Sequence, residues 1–245
     1  MHFTSENTSD GVTERHFLLN DVPGILWTPD GSSDGERDRP LVLLGHGGGQ
    51  HKRAPGVLAR ARHLVTAHRA AAVSIDAPGC GDRPEVAVLR DHIAEIRARA
   101  AAGEPIGQFF PGLNAAIAER AIPEWRAVLD AFTETGPAGY WGLSMAGAIG
   151  VRLVAAEPRI TAAVLGLASA DGLIDTAKAI TVPVRFVQQW DDEFVPRESG
   201  LALFDAFASQ AKTLYANPGR HQDVPRIDEV EDSAVFLMRQ LAPPR

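Results

Sequence analysis

The chain has 245 residues, a formal net charge of -7, 45% hydrophobic residues and 22% charged residues. These values are ordinary for a globular protein that buries a sizeable core. The acidic balance argues against a nucleic-acid partner, because proteins that bind phosphate backbones usually carry a basic face. The single cysteine, Cys80, excludes an intramolecular disulfide.

No apolar run approaches the roughly 20 residues that a membrane-spanning helix needs. Residues 1–15 are polar and mixed in charge, without an apolar signal region. We therefore expect a cytoplasmic protein that has no membrane partner and forms a single domain over residues 1–245.

The first part of the chain predicts a hairpin. Residues 1–11 are polar, and we expect them to be frayed. Two short candidate strands follow, over 12–19 and 22–27, joined through Asn20-Asp21 as an antiparallel pair. Residues 30–39 form a Gly-, Ser- and charge-rich loop.

Beyond this loop, apolar runs that are typical of buried strands alternate with amphipathic helical patterns. Strands are predicted over 40–44, 71–75, 138–141, 160–167, 182–188 and 213–215, and helices over 55–68, 145–157, 197–209 and 227–241. Continuous apolar strands alternating with helices predict an α/β fold with a mostly parallel sheet and helices on both faces.

The alternation breaks between residues 84 and 122. Apolar residues at helical spacing predict one amphipathic helix from Val86 to Ile96, followed by an irregular piece over 103–113. Pro123 then suits the first turn of the next helix. We expect 84–122 to be a small helical excursion over the sheet edge. Phe109 and Phe110 in it are candidate substrate-binding wall residues, although aromatics at such positions are as often core.

The segment from Tyr140 to Gly147 predicts the end of a buried strand, a tight turn at Ser144 and the start of a helix. Small residues flank the serine at two positions on either side, Gly142 and Ala146, so the backbone can turn sharply there. The Met145 backbone N–H at the helix start could donate to a developing oxyanion. A second serine, Ser33, matches the pattern Gly-x-Ser-x-Gly more strictly, but it lies in a polar run that predicts a loop.

This strand–serine–helix turn resembles the nucleophile elbow of the α/β-hydrolase family, with Ala146 in place of the usual second glycine. The resemblance extends over nearly the whole chain. It implies that the loop from His46 to Gly49 supplies a second oxyanion donor, the backbone N–H of Gly48, and that His46 braces this loop. The turn from Asp76 to Gly81 resembles one that supports the family's loop structurally.

The resemblance also implies a catalytic triad. The loop after the 182–188 strand resembles the family's acid loop, in which Asp192 stands three residues before Val195-Pro196. The loop after the last strand is similar to the family's Gly-x-His loop and offers His221 as the base. The order serine, aspartate, histidine is the one that α/β-hydrolases use. Asp191 and Asp171 remain possible alternatives to Asp192.

Two other polar residues bear on the site. Dienelactone hydrolases, which the chain partly resembles, use a cysteine at the elbow, where this chain has Ser144. Cys80 lacks an elbow-like helix after it, so we expect a packed thiol. Arg83 could meet a substrate carboxylate, but we expect a surface ion pair with Asp82 or Glu85.

No cofactor and no metal are expected, because no histidine pair has the i, i+4 spacing of a helical metal site and His63 and His68 are five residues apart. The resemblance implies a serine hydrolase, a carboxylesterase of the dienelactone-hydrolase-like branch, whose partner is a small-molecule ester. A thioesterase, lactonase or peptidase would use the same residues. A catalytically silent ligand-binding protein of this fold is the alternative outside enzymes, although no triad member is missing.

Overall fold

The computed structural model describes residues 1–32, 39–132 and 136–242. Most of the predicted polar loop, including Ser33, lies outside the described residues. Within them, the strands are β1 (His2–Ser9), β2 (Val12–Leu19), β3 (Val22–Pro29), β4 (Leu41–Leu44), β5 (Ala71–Ile75), β6 (Ala138–Trp141), β7 (Ile160–Gly166), β8 (Val184–Gln189) and β9 (Lys212–Asn217).

The helices are α1 (Pro55–His68), α2 (Ala87–Ala101), α3 (Phe110–Ala131), α4 (Met145–Ala156), α5 (Ile174–Ala177), α6 (Arg197–Ala206) and α7 (Arg226–Leu241). A 3₁₀ turn, Gly107–Phe109, precedes α3. None of the helices in the described ranges is both long and apolar enough to cross a membrane.

The strands form one sheet in the order β1-β2-β3-β5-β4-β6-β7-β8-β9. The pairs from β5 across to β9 are parallel, while β1, β2 and β3 form an antiparallel edge that joins the sheet through β5. The predicted α/β class and mostly parallel sheet are confirmed. Because the parallel strands share one direction, their carboxyl ends meet along one edge, where ligands bind in such sheets.

Alternating side chains of the buried strands enter two separate cores. Leu41 and Leu43 of β4 face a core that includes residues of α3 and α4, whereas Val42 and Leu44 face a core that includes residues of α1 and α7. All four side chains are fully buried. This explains why the central strands read as continuous apolar runs, since both faces of the sheet are covered by helices.

The prediction of a frayed N-terminus is wrong. Residues His2–Ser9 form β1, which pairs antiparallel with β2 although every residue of β1 is exposed. Asp10 and Gly11 both have positive φ, 52° and 75°, as the tight turn of a two-residue hairpin requires. Backbone pairing to β2 orders this strand, and the Asp-Gly turn was its signal in the sequence.

The prediction that Pro123 begins a helix is also wrong. Helix α3 begins at Phe110 and continues through Pro123 to Ala131, so the proline is interior. The first-turn proline of α3 is Pro111 instead. The irregular piece predicted over 103–113 is correspondingly shorter. Burial of one face of the helix, including Trp125, outweighs the single backbone hydrogen bond that Pro123 cannot make.

Candidate active site

Ser144 lies at the junction of β6 and α4 in a conformation that L-residues rarely adopt, with φ 62° and ψ -126°. Its backbone N–H donates to the Gly166 carbonyl at 3.0 Å, which ties the turn to the neighbouring strand β7. The hydroxyl therefore stands above the carboxyl edge of the sheet, as the sequence predicted for an elbow.

The turn is possible because the residues around it lack side-chain bulk. A Cβ on Gly142 would lie 2.6 Å from the Ala146 carbonyl oxygen. A Cβ on Gly45, at the end of β4, would lie 2.6 Å from the Cβ of Ala146. The space for the methyl group of Ala146 in α4 thus comes from the missing side chain of Gly45, directly after β4.

Ser144, His221 and Asp192 form a continuous hydrogen-bonded chain. The Oγ of Ser144 lies 2.8 Å from Nε2 of His221, and Nδ1 of His221 lies 2.7 Å from Oδ2 of Asp192. The Asp192 side chain is fully buried and that of His221 is 5% exposed. A carboxylate beside Nδ1 keeps the proton on that nitrogen, so the Nε2 lone pair faces the serine hydroxyl.

The second oxygen of Asp192 is also fixed. Its Oδ1 accepts the backbone N–H groups of Phe194 at 2.9 Å and Val195 at 3.0 Å. With both oxygens occupied, the carboxylate cannot rotate away from His221 without losing hydrogen bonds in a buried place. The acid loop thereby fixes the orientation of its own aspartate.

The two alternative acids lie elsewhere. Asp191 accepts the backbone N–H of Gly219 at 3.1 Å and is 65% exposed. Asp171 is exposed and accepts the hydroxyl of Ser169 at 3.1 Å. The structure thus brings Asp192, and neither rival, onto the imidazole of His221.

The loop after β4 brings Gly48 next to the start of α4, since a Cβ on Gly48 would lie 3.9 Å from the Met145 Cβ. The two residues predicted to supply the oxyanion donors therefore lie close to each other beside Ser144. His46 braces this loop, with Nδ1 donating to the Gly47 carbonyl at 2.9 Å and Nε2 accepting the Ala77 N–H at 3.0 Å. Burial lowers the pKa of His46, so the neutral ring that this bracing needs is favoured.

A buried ion pair also stabilises the loop after β4. Lys52 donates to Asp76 with both its backbone N–H and its Nζ, each at 2.8 Å. Burial alone would lower the pKa of Lys52, but its bonds to Asp76 and Asp82 outweigh this and raise the pKa. The turn closes at Gly81, which has φ 60° and where a Cβ would lie 2.3 Å from the Asp76 carboxylate. The structural role predicted for the Asp76 turn is confirmed.

Cys80 and Arg83 lie on the same turn. The half-buried Cys80 packs against the core and also borders the cavity above Ser144. Burial raises the pKa of the Cys80 thiol, which favours the uncharged form. The ion pair expected for Arg83 with Asp82 or Glu85 is wrong. Its guanidinium instead makes two 2.7 Å bonds to Glu124 of α3, which packs beside the turn.

A cavity of about 980 Å³ opens above the serine and is bordered by Ser144, His221 and Gly48. On one side it is lined by single faces of three helices, at positions spaced three or four residues apart as one helix face requires. These residues are Leu89, Ile93 and Ile96 of α2, Phe110, Leu113 and Ile117 of α3, and Met145 and Ala148 of α4. The excursion therefore contributes six of these eight apolar residues.

The two aromatic residues predicted to line the cavity, Phe109 and Phe110, lie in different surroundings. Phe110 borders the cavity, whereas Phe109 is not among the lining residues and packs under the guanidinium of Arg99 at 4.4 Å. Phe110 also packs edge-on against Phe194, with ring centroids 5.4 Å apart. The 3₁₀ turn before it approaches the acid loop closely, because a Cβ on Gly107 would lie 2.5 Å from the Phe194 carbonyl oxygen.

Sequence reasoning missed several residues that hold the loop of His221. Gln189, at the end of β8, donates to the carbonyls of Pro218 at 3.3 Å and Arg220 at 3.2 Å. Glu193 accepts the backbone N–H of His221 at 2.9 Å. The available signal was the run of three acidic residues after β8, of which only one can face the imidazole.

Among the described residues, no group of three or more His, Cys, Asp or Glu side chains is arranged to hold a metal ion. His63 and His68 pack edge-on against each other with ring centroids 5.4 Å apart.

Comparison with known proteins identifies the family. The chain is 33% identical to a cold-adapted esterase from an Arctic intertidal metagenomic library, with a TM-score of 0.75, over 99% of this chain and 100% of that one. The chain belongs to the α/β-hydrolase superfamily of serine hydrolases.

Two solved structures of lower identity share the fold of this hydrolase. Est1E from Butyrivibrio proteoclasticus, described with bound ferulic acid, is 15% identical over 93% of this chain and 99% of that one, with a TM-score of 0.70. The esterase Pf2001 of Pyrococcus furiosus is 13% identical over 94% and 93% of the two chains, with a TM-score of 0.65. No protein-family model and no curated protein matches the hydrolase.

Proposed function

We propose that this hydrolase is a carboxylesterase in which Ser144 is the nucleophile, His221 the general base and Asp192 the acid that orients the base. The observation that carries the proposal is the continuous chain of 2.8 Å and 2.7 Å contacts through His221, starting at a serine on a strained elbow. A serine hydroxyl is a poor nucleophile without an adjacent base, and this geometry supplies one.

In the proposed reaction, the Oγ of Ser144 attacks the ester carbonyl carbon while its proton moves to Nε2 of His221. The carbonyl oxygen gains negative charge, which the backbone N–H groups of Met145 and Gly48 stabilise. His221 then donates its proton to the departing alkoxide, which leaves an acyl group on Ser144. A water molecule that gives its proton to His221 attacks this acyl-enzyme, and His221 returns that proton to the Oγ of Ser144 as the acid is released.

The cavity supports an ester with one sizeable apolar group. Seven residues separate Phe110 from Ile117, so the apolar face of α3 extends for about 10 Å along the wall at 1.5 Å per residue. We assign the excursion, residues 84–122, as the roof of this site and Phe110 as a wall residue. Phe109, which packs on Arg99, is not part of the proposed site.

The family relatives favour an ester over the other acyl compounds that the same residues could attack. The 33% identical relative is described as an esterase, whereas a thioesterase, lactonase or peptidase has no such support here. We further propose the dienelactone-hydrolase-like branch, with serine in place of cysteine at the elbow. A cytoplasmic location suits the free, half-buried thiol of Cys80.

The test is hydrolysis of a panel of p-nitrophenyl esters of increasing acyl length. We expect Ser144→Ala to lose several orders of magnitude in kcat while its Tm stays close to that of the parent. A fluorophosphonate probe should label Ser144, with Ser169 unlabelled on peptide mapping. Label on Ser169 would refute the assigned nucleophile, and no turnover of any ester would favour the ligand-binding alternative.

A further inference from the structure

Three consecutive acidic residues after β8 hold three different groups of the loop after β9. Asp191 accepts the backbone N–H of Gly219 at 3.1 Å, and Asp192 contacts the imidazole of His221 at 2.7 Å. Glu193 accepts the backbone N–H of His221 at 2.9 Å. The base is therefore held at its side chain by one acid and at its backbone by the next.

The environment of Glu193 favours its carboxylate form, in which both side-chain oxygens are acceptors. Burial would raise the pKa of Glu193, but hydrogen bonds from the backbone N–H groups of His221 and of Glu193 itself, together with the nearby charge of Arg220, outweigh it and lower the pKa. The Nη2 of Arg220 lies 3.3 Å from Oε1, while Oε2 faces the His221 N–H, so each oxygen has its own partner. A carboxylate that accepts a backbone N–H forms a strong, charge-assisted bond.

The position of the His221 backbone matters because the ring must meet two partners at once. Nε2 has to stay 2.8 Å from the Ser144 hydroxyl while Nδ1 stays 2.7 Å from Asp192. A shift of the backbone by a fraction of an ångström would lengthen at least one of these contacts, and misplacement by about 1 Å can cost on the order of 100-fold in rate.

We propose that Glu193 is a positioning residue for the reaction, which holds the backbone of His221 so that the imidazole is aligned with Ser144 and Asp192 together. This inference rests on the proposed function. Glu193 acts through His221 and does not touch the reacting atoms. The bond requires that the side chain at position 193 place an acceptor oxygen within hydrogen-bond distance of the His221 backbone N–H.

The experiment compares four variants on p-nitrophenyl butyrate. Glu193→Ala removes the acceptor, Glu193→Gln keeps an acceptor oxygen without the charge, and Glu193→Asp keeps the charge on a side chain that is one methylene shorter. Arg220→Ala is the matched control, because it removes the ion pair with Glu193 while the backbone bonds of residue 220 remain. Tm values report whether each variant is folded.

We expect Glu193→Ala and Glu193→Asp to lower kcat by about 10- to 100-fold with KM within about threefold of the parent, because the misaligned ring affects the reaction rather than substrate binding. Glu193→Gln and Arg220→Ala should stay within about threefold of the parent kcat. The rate of fluorophosphonate labelling at Ser144 should fall in step with kcat, since it depends on the same base.

Three results would overturn the inference: parental kcat in Glu193→Asp, equal loss in Glu193→Gln and Glu193→Ala, or a rise in KM with kcat unchanged. Should Glu193→Ala fail to fold, the comparison of Glu193→Asp with Glu193→Gln decides alone. Failure of the proposed function is seen separately, as parental activity in Ser144→Ala. An inactive Ser144→Ala together with parental activity in the Glu193 variants would refute only the positioning role.

Discussion

The ring of Phe194 packs edge-on against the imidazole of His221, with the two ring centroids 5.1 Å apart. Phe194 also packs edge-on against Phe110 of the excursion. One side chain of the acid loop therefore connects the roof of the cavity to the proposed base.

Replacing Phe194 should damage the site without removing any triad member. In Phe194→Ala the imidazole loses an aromatic neighbour and the roof loses the contact between Phe110 and the Phe194 ring, so we expect kcat/KM to fall by roughly 10- to 100-fold, about 1.4 to 2.8 kcal/mol of barrier. The measurement is steady-state hydrolysis of a short and a long p-nitrophenyl ester. Phe109→Ala is the control, since that ring packs on Arg99 outside the cavity, and comparable losses in both variants would contradict this account.

The close approach of Gly107 to the acid loop predicts that even one methyl group there is harmful. In Gly107→Ala the new Cβ would lie 2.5 Å from the Phe194 carbonyl oxygen, so the excursion or the acid loop has to move. Overpacking of this kind costs about 1–3 kcal/mol, and we expect a lower Tm together with reduced activity.

Gly112→Ala is the matched control in the same excursion. A Cβ there would meet only the His92 ring, at 3.6 Å, and alanine favours the helical backbone of α3. Its Tm should equal or exceed that of the parent. If Gly107→Ala behaved like Gly112→Ala, the excursion would not be tightly held against the acid loop.

The assignment of the triad acid predicts unequal effects of three conservative changes. Asp192→Asn should lower kcat by roughly 10⁴, because the amide presents the wrong histidine tautomer to Ser144. Asp171→Asn and Asp191→Asn should each retain activity within about tenfold, near 1.4 kcal/mol. Kinetics of the three purified variants test this, and a crippled Asp171→Asn beside a mild Asp192→Asn would reverse the assignment.

A buried carboxylate at the end of α4 predicts a pH-dependent stability. The hydrogen bonds from Arg159 lower the pKa of Glu157, and they outweigh the opposing effect of burial. Because the pKa of Glu157 is lower in the folded than in the unfolded protein, the ionised side chain stabilises the fold at pH values above the ordinary carboxyl pKa. This stabilisation is lost as the pH falls through the pKa of Glu157 in the folded protein. Glu157→Gln should therefore be about 1 kcal/mol less stable at pH 7, with a difference that shrinks in acid.

Urea unfolding of the parent and of Glu157→Gln at pH 7 and near pH 4 measures this difference. Asp175→Asn serves as the control, because its pair with Lys178 is exposed and should not alter stability at either pH. A constant gap between Glu157→Gln and the parent across the pH range would contradict the role of the ionised form.

Local sequence patterns were enough to predict the helices and strands that are apolar or amphipathic runs bounded by turn residues. The helix Pro55–His68 and the strand Ala71–Ile75 have the predicted bounds. The elbow was predictable because its requirements are local: a buried strand, small neighbours around Ser144 and a helix. For the triad acid, the loop pattern favoured Asp192 but left Asp171 and Asp191 as alternatives. Which aspartate contacts His221 depends on how the loop after β9 packs against the rest of the sheet edge.

The errors arose where contacts with another element outweigh the polarity or the residue type of a segment. The polar strand β1 is ordered by pairing with β2, and Pro123 is held inside α3 by burial of the helix face around it. Likewise, Arg83 pairs with Glu124 of α3 and Phe109 packs on Arg99 of α2, contacts that depend on how these elements pack together. Glu193 could not be assigned from the sequence, because its partner is a backbone N–H 28 residues further along the chain.

The left-handed backbone of Ser144 sets stability against activity at a single position. Holding a non-glycine residue in such a conformation costs of order 1–3 kcal/mol, and glycine would not bear that cost. A library of this protein selected for heat resistance alone should therefore enrich glycine at position 144, which yields sturdier chains that lack the proposed nucleophile. Selection during engineering therefore has to include catalytic turnover as well as heat resistance, because otherwise the selected variants will lose activity.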